Sequence, residues 1–200
     1  CDGWSLEIIQ QELPFLADGV LLPNLAHSYF DFCRWQNSKI KTDTKSLEYW
    51  SNKLKAPIPH INLPSATKRP HRPPSEGDTF EFSVPDQLLA AGKKIAKENK
   101  ITENSFFLAA FYLTIFKITG QKDIVVGMPT AGRTDPRHAN IVGYFVDPVA
   151  LRLQIIKEDP IIHFTQNVHR EVMEAVAHRD YPFSLLVSKL RPDRDLSRSP

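Results

Sequence analysis

The sequence predicts an α/β fold in which helices are interleaved with short strands. The strands are indicated by a β-branched run at residues 124–126 and by an alternation from Val149 to Ile155, in which every second residue is a larger apolar one. Helices are indicated by stretches on either side of this region whose apolar residues recur every three or four positions. Strands and helices interleaved along one chain are typical of the α/β class.

Three helices are predicted in the first 55 residues. Over residues 5–17 the apolar positions follow one helical face, an Asp-Gly pair at 18–19 supplies a stop, and Pro14 is expected to kink or shorten the helix. The second helix runs from His27 to Ser38 and the third from Thr44 to Lys55. Both are amphipathic, so each should pack one face against a core.

Residues 56–74 contain six prolines. So many prolines exclude a regular helix or a central strand. We interpret residues 66–78 as an extended crossover linker between two lobes, with a basic docking strip as the alternative interpretation.

The elements after the linker are predicted from shorter patterns. Alternating apolar residues indicate a strand at 79–84, and an amphipathic helix is expected over 86–99. The stretch 102–118 is apolar almost all round, which predicts a buried central helix that ends at Gly120. A last helix should begin at Asp159-Pro160, with Asp at the cap and Pro in the first turn.

The most informative stretch is residues 123–152, which reads as strand, tight loop, strand. Gly127 and Pro129 cut the first strand, turn-forming residues follow, and pairing is expected to resume near Ile141. Arg133 in the loop either pairs with a carboxylate or a backbone carbonyl, or is solvated in an ordinary hairpin connection.

Composition excludes several functional classes. Of the 200 residues 42% are hydrophobic, which is enough to bury a sizeable core. The net charge of +2, from 25 basic and 23 acidic residues, gives no reason to expect binding to nucleic acid or to acidic membranes. Two cysteines do not make a disulfide framework and favour a reducing compartment. With no leader and no apolar run of 18 residues in the sequence, we expect a cytoplasmic protein.

Six blocks, in order, resemble the signatures of the condensation domains of nonribosomal peptide synthetases, which make amide bonds between substrates carried on phosphopantetheine arms. The blocks are Cys1–Leu6, Tyr29–Trp35, Asp123–Arg133, Ile141–Arg152, His178–Phe183 and Arg194–Pro200. The resemblance covers nearly the whole chain. Asp147 and Ser199 depart from it, since the family usually has Asn at both positions.

The resemblance implies an α/β fold of the chloramphenicol-acetyltransferase type, with two lobes set in a V around a substrate tunnel. Residues 1–65 would be the end of the first lobe, 66–78 the crossover and 79–200 most of the second. The implied partners are donor and acceptor carrier proteins and a neighbouring adenylation domain, with no nucleic acid and no membrane. No cofactor is expected to bind directly, because the substrates arrive on the phosphopantetheine of the carriers.

The first block resembles the tail of the family's active-site motif His-His-x-x-x-Asp-Gly, of which Asp2 and Gly3 remain. The second His, used at the bond-forming centre, would lie three positions before Cys1, so we expect a truncated piece that is inactive alone. The resemblance implies that Asp2 is structural and held by an arginine from elsewhere in the first lobe. The local pattern instead favours Asp2 as the cap of a helix beginning at Trp4 or Ser5. Gly3 would let a thioester approach the backbone.

The resemblance also implies that the loop over residues 127–140 floors the tunnel. The candidate tunnel residues are Trp4, Gly127, Pro129, Gly132, Arg133, Gly143 and Tyr144. Gly127 and Gly132 would allow close approach of the backbone. Of Tyr144 and Phe145, at least one is expected in the core, because neighbours in a strand point to opposite faces.

The reaction needs a base or a hydrogen-bond partner near the attacking amine. None of the seven histidines in the chain is an obvious substitute for the upstream one. His138 is expected on the surface of its loop. His163 and His169 are six residues apart and do not share a helix face, so we predict no metal site.

Other functions remain open at this point. A non-catalytic module that docks carrier proteins or partner enzymes is the alternative from another class. A related epimerisation domain or free acyltransferase is the nearest rival, although the blocks around Arg133 and Tyr144 favour condensation over epimerisation. A nucleic-acid binder is disfavoured by the charge balance.

Overall fold

A computed structural model of the chain describes residues 1–65, 70 and 77–190. Its helices are α1 (Gly3–Ala17), α2 (Tyr29–Ile40), α3 (Thr44–Lys53), α4 (Asp86–Glu98), α5 (Glu103–Thr119), α6 (Ile161–Ala177) and α7 (Phe183–Leu190). Its strands are β1 (Asp123–Thr130) and β2 (Asp147–Gln154), and a short 3₁₀ helix, Pro136–His138, lies between them. The predicted helices are confirmed, and α2, α3 and α4 match to within two residues at each end.

The two strands pair antiparallel along their whole lengths. β1 is not cut at Gly127 and Pro129 as predicted, but runs through both. Pro129 lies opposite Pro148 at the end of the ladder, where neither strand supplies a donor. Pairing resumes at Asp147 and not near Ile141, because the intervening backbone contacts the start of α1 instead.

The main core lies where β2 packs against α5 and α6. Every second residue from Val149 to Ile155 is buried, as predicted, although Ala150 on the opposite face is buried as well. Tyr112 of α5 has no exposed surface, and its hydroxyl donates to the Leu151 carbonyl oxygen at 2.6 Å. Burial raises the pKa of that hydroxyl, so it stays a donor and joins the helix to the strand.

α5 is less buried than its sequence predicts. It ends at Gly120 as expected, in the left-handed conformation. On its outer side, however, Phe107, Phe111 and Ile118 are 37%, 51% and 52% exposed. Only one face of the helix is buried in the core. A sequence that is apolar all round does not indicate which face will be buried.

α3 enters the same core, although it comes from the first part of the chain. Trp50 is 2% exposed, and its indole N–H donates to the His178 carbonyl oxygen at 3.1 Å. Lys53 forms an ion pair with the buried carboxylate of Glu171 on α6. Burial raises the pKa of Glu171, and the Lys53 ammonium partly offsets the rise.

Some helix ends differ from the prediction. α1 continues through Pro14, and its last turn closes with the Asp18 N–H on the Pro14 carbonyl oxygen at 3.1 Å. The cap of α6 is Pro160 and not Asp159, whose carboxylate lies 3.5 Å from His163 Nδ1. α7 was not predicted, because eight residues are too few for a clear helical period.

The strand predicted at residues 79–84 is wrong. Phe80 and Phe82 are 88% and 76% exposed, with ring centroids 6.1 Å apart. In the part of the chain that the structure describes, β1 and β2 pair only with each other, so this segment has no ladder to join.

Most of the predicted linker, residues 66–69 and 71–76, lies outside the described residues, together with the basic strip in it. The last sequence block, Arg194–Pro200 with Ser199, lies outside them as well. Across the described ranges, the helices are too short or too polar to cross a membrane.

Candidate functional site

The start of α1 is held to the loop after β1 by a buried carboxylate. Oδ1 of Asp2 accepts from the Ser5 backbone N–H at 2.9 Å and so caps the helix, as the local pattern predicted. Oδ2 accepts from the Phe145 N–H at 3.0 Å, and the Asp2 N–H donates to the Gly143 carbonyl oxygen at 3.2 Å. One side chain therefore caps the helix and joins it to a segment about 140 residues away.

Arg133 reaches the same carboxylate from the loop that follows β1. Its Nη2 donates to Asp2 Oδ1 at 3.1 Å and to Ser5 Oγ at 2.9 Å. Its Nη1 donates to the carbonyl oxygens of His138 and Ile141 at 2.6 and 2.7 Å. Arg133 thus pairs with both a carboxylate and backbone carbonyls. The expectation of an arginine from the first lobe is wrong, because Arg133 comes from the segment assigned to the second.

Ser5 is a residue of this network that the sequence analysis did not single out. It is fully buried, and its Oγ lies 2.7 Å from both Asp2 Oδ1 and the Gly143 carbonyl oxygen. The Gly143 N–H donates to the same hydroxyl at 3.0 Å. No local rule singles out this serine, because the residue that completes a capping box at this position is Glu or Gln.

The charges in this network are almost fully withdrawn from water, with the Asp2 and Arg133 side chains 2% and 1% exposed. Burial alone would raise the pKa of Asp2, but hydrogen bonds from Ser5, the Phe145 N–H and Arg133 outweigh it and hold the pKa well below its usual range. The guanidinium carbon also lies 4.0 Å from the Phe145 ring centroid and 5.6 Å from that of Trp4. Asp2 is therefore ionised throughout the physiological pH range.

Two glycines are required by close contacts. Gly132 has a φ of +65°, and an added Cβ would overlap the Phe145 carbonyl oxygen. An added Cβ at Gly143 would overlap the ring of Tyr29. At Gly127 an added Cβ meets nothing within 4 Å, so no contact within the described chain requires a glycine there.

The exposed candidates lie beside this network. Trp4 is 48% exposed, and its indole N–H donates to the Ala139 carbonyl oxygen at 3.1 Å. Gly3 is exposed, and no atom lies within 4 Å of its Cβ position. Tyr144 is 58% exposed and Phe145 is 3% exposed, which confirms that one of the pair enters the core.

Two predicted tunnel residues lie apart from the network. Gly127 and Pro129 are on the exposed side of β1. Near the same end of the hairpin, Asp147 accepts from the Phe183 N–H at 3.0 Å, and burial raises the pKa of its carboxyl. The structure therefore brings together Asp2, Gly132, Arg133 and Gly143, but not the two β1 residues.

The expectation that His138 lies on the surface is wrong. Its ring is buried among aromatic side chains at the end of the 3₁₀ helix. His169 and His178 each lie near a serine hydroxyl, at 3.0 and 3.1 Å. In the described ranges, no group of three or more His, Cys, Asp or Glu side chains is placed to hold a metal ion.

The model of the condensation domain family matches residues 1–200. The chain is 39% identical over 201 residues to tyrocidine synthase 3 of Brevibacillus parabrevis. The aligned region covers 100% of this chain and 3% of that protein. It is 36% identical to bacitracin synthase 3 of Bacillus licheniformis, with 100% and 3% covered. The chain thus spans a few per cent of the length of these relatives.

Two solved structures share the fold of this chain. A four-domain nonribosomal peptide synthetase bound to AMP and glycine is 27% identical, with a TM-score of 0.87 over 100% of this chain and 15% of that one. The X-domain from teicoplanin biosynthesis is 20% identical, with a TM-score of 0.89 over 100% of this chain and 47% of that one. The predicted α/β fold of the chloramphenicol-acetyltransferase type is confirmed.

Proposed function

The chain belongs to the condensation-domain family, and on that premise we propose that it forms part of a centre that joins a donor thioester to an acceptor amine. The observation that carries the proposal is the buried network of Asp2, Ser5 and Arg133 at the start of α1. The family motif presents its histidine a few residues before this Asp. A rigid anchor at this point is what the geometry of such a histidine requires.

Asp2 and Arg133 act as positioning groups and do not react. The carboxylate already accepts hydrogen bonds at both oxygens, and the guanidinium is shielded by the Phe145 ring. Gly3, Trp4 and Tyr144 are exposed residues next to the anchor, so they are placed to meet a substrate.

In the proposed reaction the amine nitrogen of the acceptor attacks the carbonyl carbon of the donor thioester. The C–N bond of the amide forms, the C–S bond breaks, the amine loses a proton and the donor thiol is released with one. The balance needs no oxidant, reductant or covalent enzyme intermediate. A base or hydrogen-bond acceptor beside the amine is required, and we assign it to the motif histidine upstream of Cys1.

The donor and acceptor are proposed to arrive on the phosphopantetheine arms of two carrier proteins, with an adenylation domain as neighbour. The relatives named above are synthases of peptide antibiotics, which supports this class of substrate. No cofactor bound directly to the chain is part of the proposal.

The test is amide formation by a protein that extends this chain upstream through the motif histidine. The acceptor carrier, loaded with an aminoacyl group, is followed by intact-protein mass spectrometry for the gain of the donor acyl mass. Four proteins are compared: the unmodified one, the His→Ala variant of the motif, Arg133→Met, and Arg137→Met as an exposed arginine from the same loop.

Product from the unmodified protein and from Arg137→Met, with a large loss in the other two, is the expected result. No product from a folded, unmodified protein would reject the proposal and favour the carrier-docking module. Equal rates in the unmodified protein and in Arg133→Met would remove the Asp2 network from the reaction, and an unimpaired His→Ala variant would reject the histidine as the base.

A further inference from the structure

The ring of His138 fills an aromatic box. It is 6% exposed, and its centroid lies 5.2 Å from that of Phe32, 5.6 Å from Phe145 and 6.2 Å from Trp35. Phe32 and Phe145 are themselves buried, with ring centroids 4.5 Å apart. The ring therefore occupies a site made for an apolar side chain.

The backbone of the same residue belongs to the anchor network. The His138 N–H donates to the Asp135 carbonyl oxygen at 2.9 Å, which closes the turn. The His138 carbonyl oxygen accepts from Arg133 Nη1 at 2.6 Å, and Nη2 of that guanidinium holds Asp2. A movement of the ring out of its box would move the carbonyl that positions Arg133.

The box suits only the uncharged ring. Nδ1 is buried without a hydrogen-bond partner among the described residues. In a neutral imidazole one nitrogen is a bare acceptor, whereas in an imidazolium both nitrogens are donors. Protonation would leave a buried N–H without an acceptor, which is a costly arrangement.

Electrostatics act in the same direction. Burial lowers the pKa of His138, and the carboxylate of Asp135 opposes this. The cations Arg137, on its own turn, and Arg133, in the loop before it, lower the pKa further, as does His27 from the segment before α2.

We propose that His138 is a positioning residue of the reaction centre, whose uncharged ring holds the turn, Arg133 and Asp2 in place, so that acidification releases the network. The link to reaction rests on the proposed function above. The link to the network does not, and it can be measured without substrate.

The expected pH dependence follows from linkage. The histidine in the closed network has a pKa below the value of about 6.5 that it regains when the turn opens. The open state therefore binds the proton first as the pH falls below about 6.5. Between pH 7.5 and 5.5 the opening equilibrium should rise, by at most about tenfold if the closed network binds no proton, and above pH 7 it should hardly change.

The experiment measures hydrogen exchange of the Phe145 N–H, which donates to Asp2 Oδ2, in the 200-residue chain. The N–H of Leu151, in the main core, is the internal reference. The unmodified chain is compared with His138→Leu, which cannot be protonated, and with His60→Leu, which removes an exposed histidine. If His138→Leu does not fold, His138→Phe keeps a ring in the box.

The expected result is a protection factor at Phe145 that falls by more than about twofold and at most about tenfold, relative to Leu151, between pH 7.5 and 5.5 in the unmodified chain and in His60→Leu. In His138→Leu the fall should be less than about twofold. The same fall in all three chains would overturn the proposal, as would an imidazole NMR signal of His138 that titrates in the folded chain near the value of a free histidine.

A second experiment tests whether His138 affects the reaction. In the upstream-extended protein, the ratio of amide-formation rates at pH 7.5 and 5.5 should be several-fold larger for the unmodified protein than for His138→Leu. Titration of the substrates is common to both and cancels. Equal ratios would reject the role in reaction. If neither protein forms product while the exchange result is obtained, the proposed function fails and the positioning of Asp2 by His138 stands.

Discussion

Removal of the Arg133 guanidinium is the most direct test of the anchor network. In Arg133→Met the side chain keeps most of its length and can still contact the Phe145 ring, but it has no charge and no donor. Asp2 would remain buried without its counter-ion. The Ile141 carbonyl oxygen would lose its Arg133 donor at the same time, whereas the His138 carbonyl oxygen would keep the Ile141 N–H at 3.3 Å.

The cost can be worked from these contacts. Removing one partner of a buried ion pair costs about 3–5 kcal/mol. Asp2 keeps its hydrogen bonds from Ser5 and from the Phe145 N–H, which favours the lower end of that range. The Ile141 carbonyl left unpaired adds roughly 1 kcal/mol. We therefore expect the free energy of unfolding to fall by about 3–5 kcal/mol.

Urea denaturation at pH 7.5 measures this loss, with Arg137→Met as the matched control. Arg137 pairs with Asp135 at the surface of the same loop, so its removal should leave the denaturation midpoint unchanged. The double variant Asp2→Asn with Arg133→Met should lose less than the sum of the two single variants, because no unpaired charge remains. A loss below about 1 kcal/mol in Arg133→Met, the range of a surface pair, would refute the reasoning.

Two further predictions concern other contacts. Gly132→Ala should lower the free energy of unfolding by about 1–3 kcal/mol or more, because it combines a positive φ with overlap on the Phe145 carbonyl. Gly127→Ala is the control, because there is open space at its Cβ position. Equal urea midpoints for the two variants would contradict the prediction. Lys53→Met removes the ammonium beside buried Glu171 and should raise the pKa of that carboxyl further above its unfolded value. A raised folded-state pKa favours the folded state at low pH, and this benefit is lost as the pH rises through that pKa. The variant should therefore lose about 3 kcal/mol of stability at pH 8 and less at pH 5. Equal losses at the two pH values would show that Glu171 is not the group responsible.

The helices and the hairpin could be predicted because their signals are local. The three-and-four spacing in α1 to α4 and the alternation from Val149 to Ile155 both report which face is apolar. The segment 79–84 has an equally good alternation but forms no strand in the described structure. A strand needs a neighbour to supply its hydrogen bonds, and the pattern within one segment does not contain that neighbour. The same limit applies to α5, whose uniform apolarity does not specify the exposed side.

The candidate site was predictable only where its residues lie close in sequence. The cap formed by Asp2 follows from its position before a helix. That Arg133 pairs with Asp2 depends on a contact between residues 131 apart, and no local rule connects them. The sequence predicts a surface position for His138, because histidines in loops are usually exposed. Its burial results from Phe32 and Trp35 on α2, a helix about 100 residues earlier in the chain.

That separation has a consequence for how the protein is made. Asp2 leaves the ribosome 131 residues before its arginine. At about 5–20 residues per second this is a delay of roughly 7 to 26 s. During that interval α1 can form and be capped, but its docking site has not been synthesised, and Ile8, which the folded chain buries, remains available to chaperones. The anchor therefore cannot form until Arg133 and Phe145 have both been synthesised, so a chain that stalls before Arg133 cannot complete it.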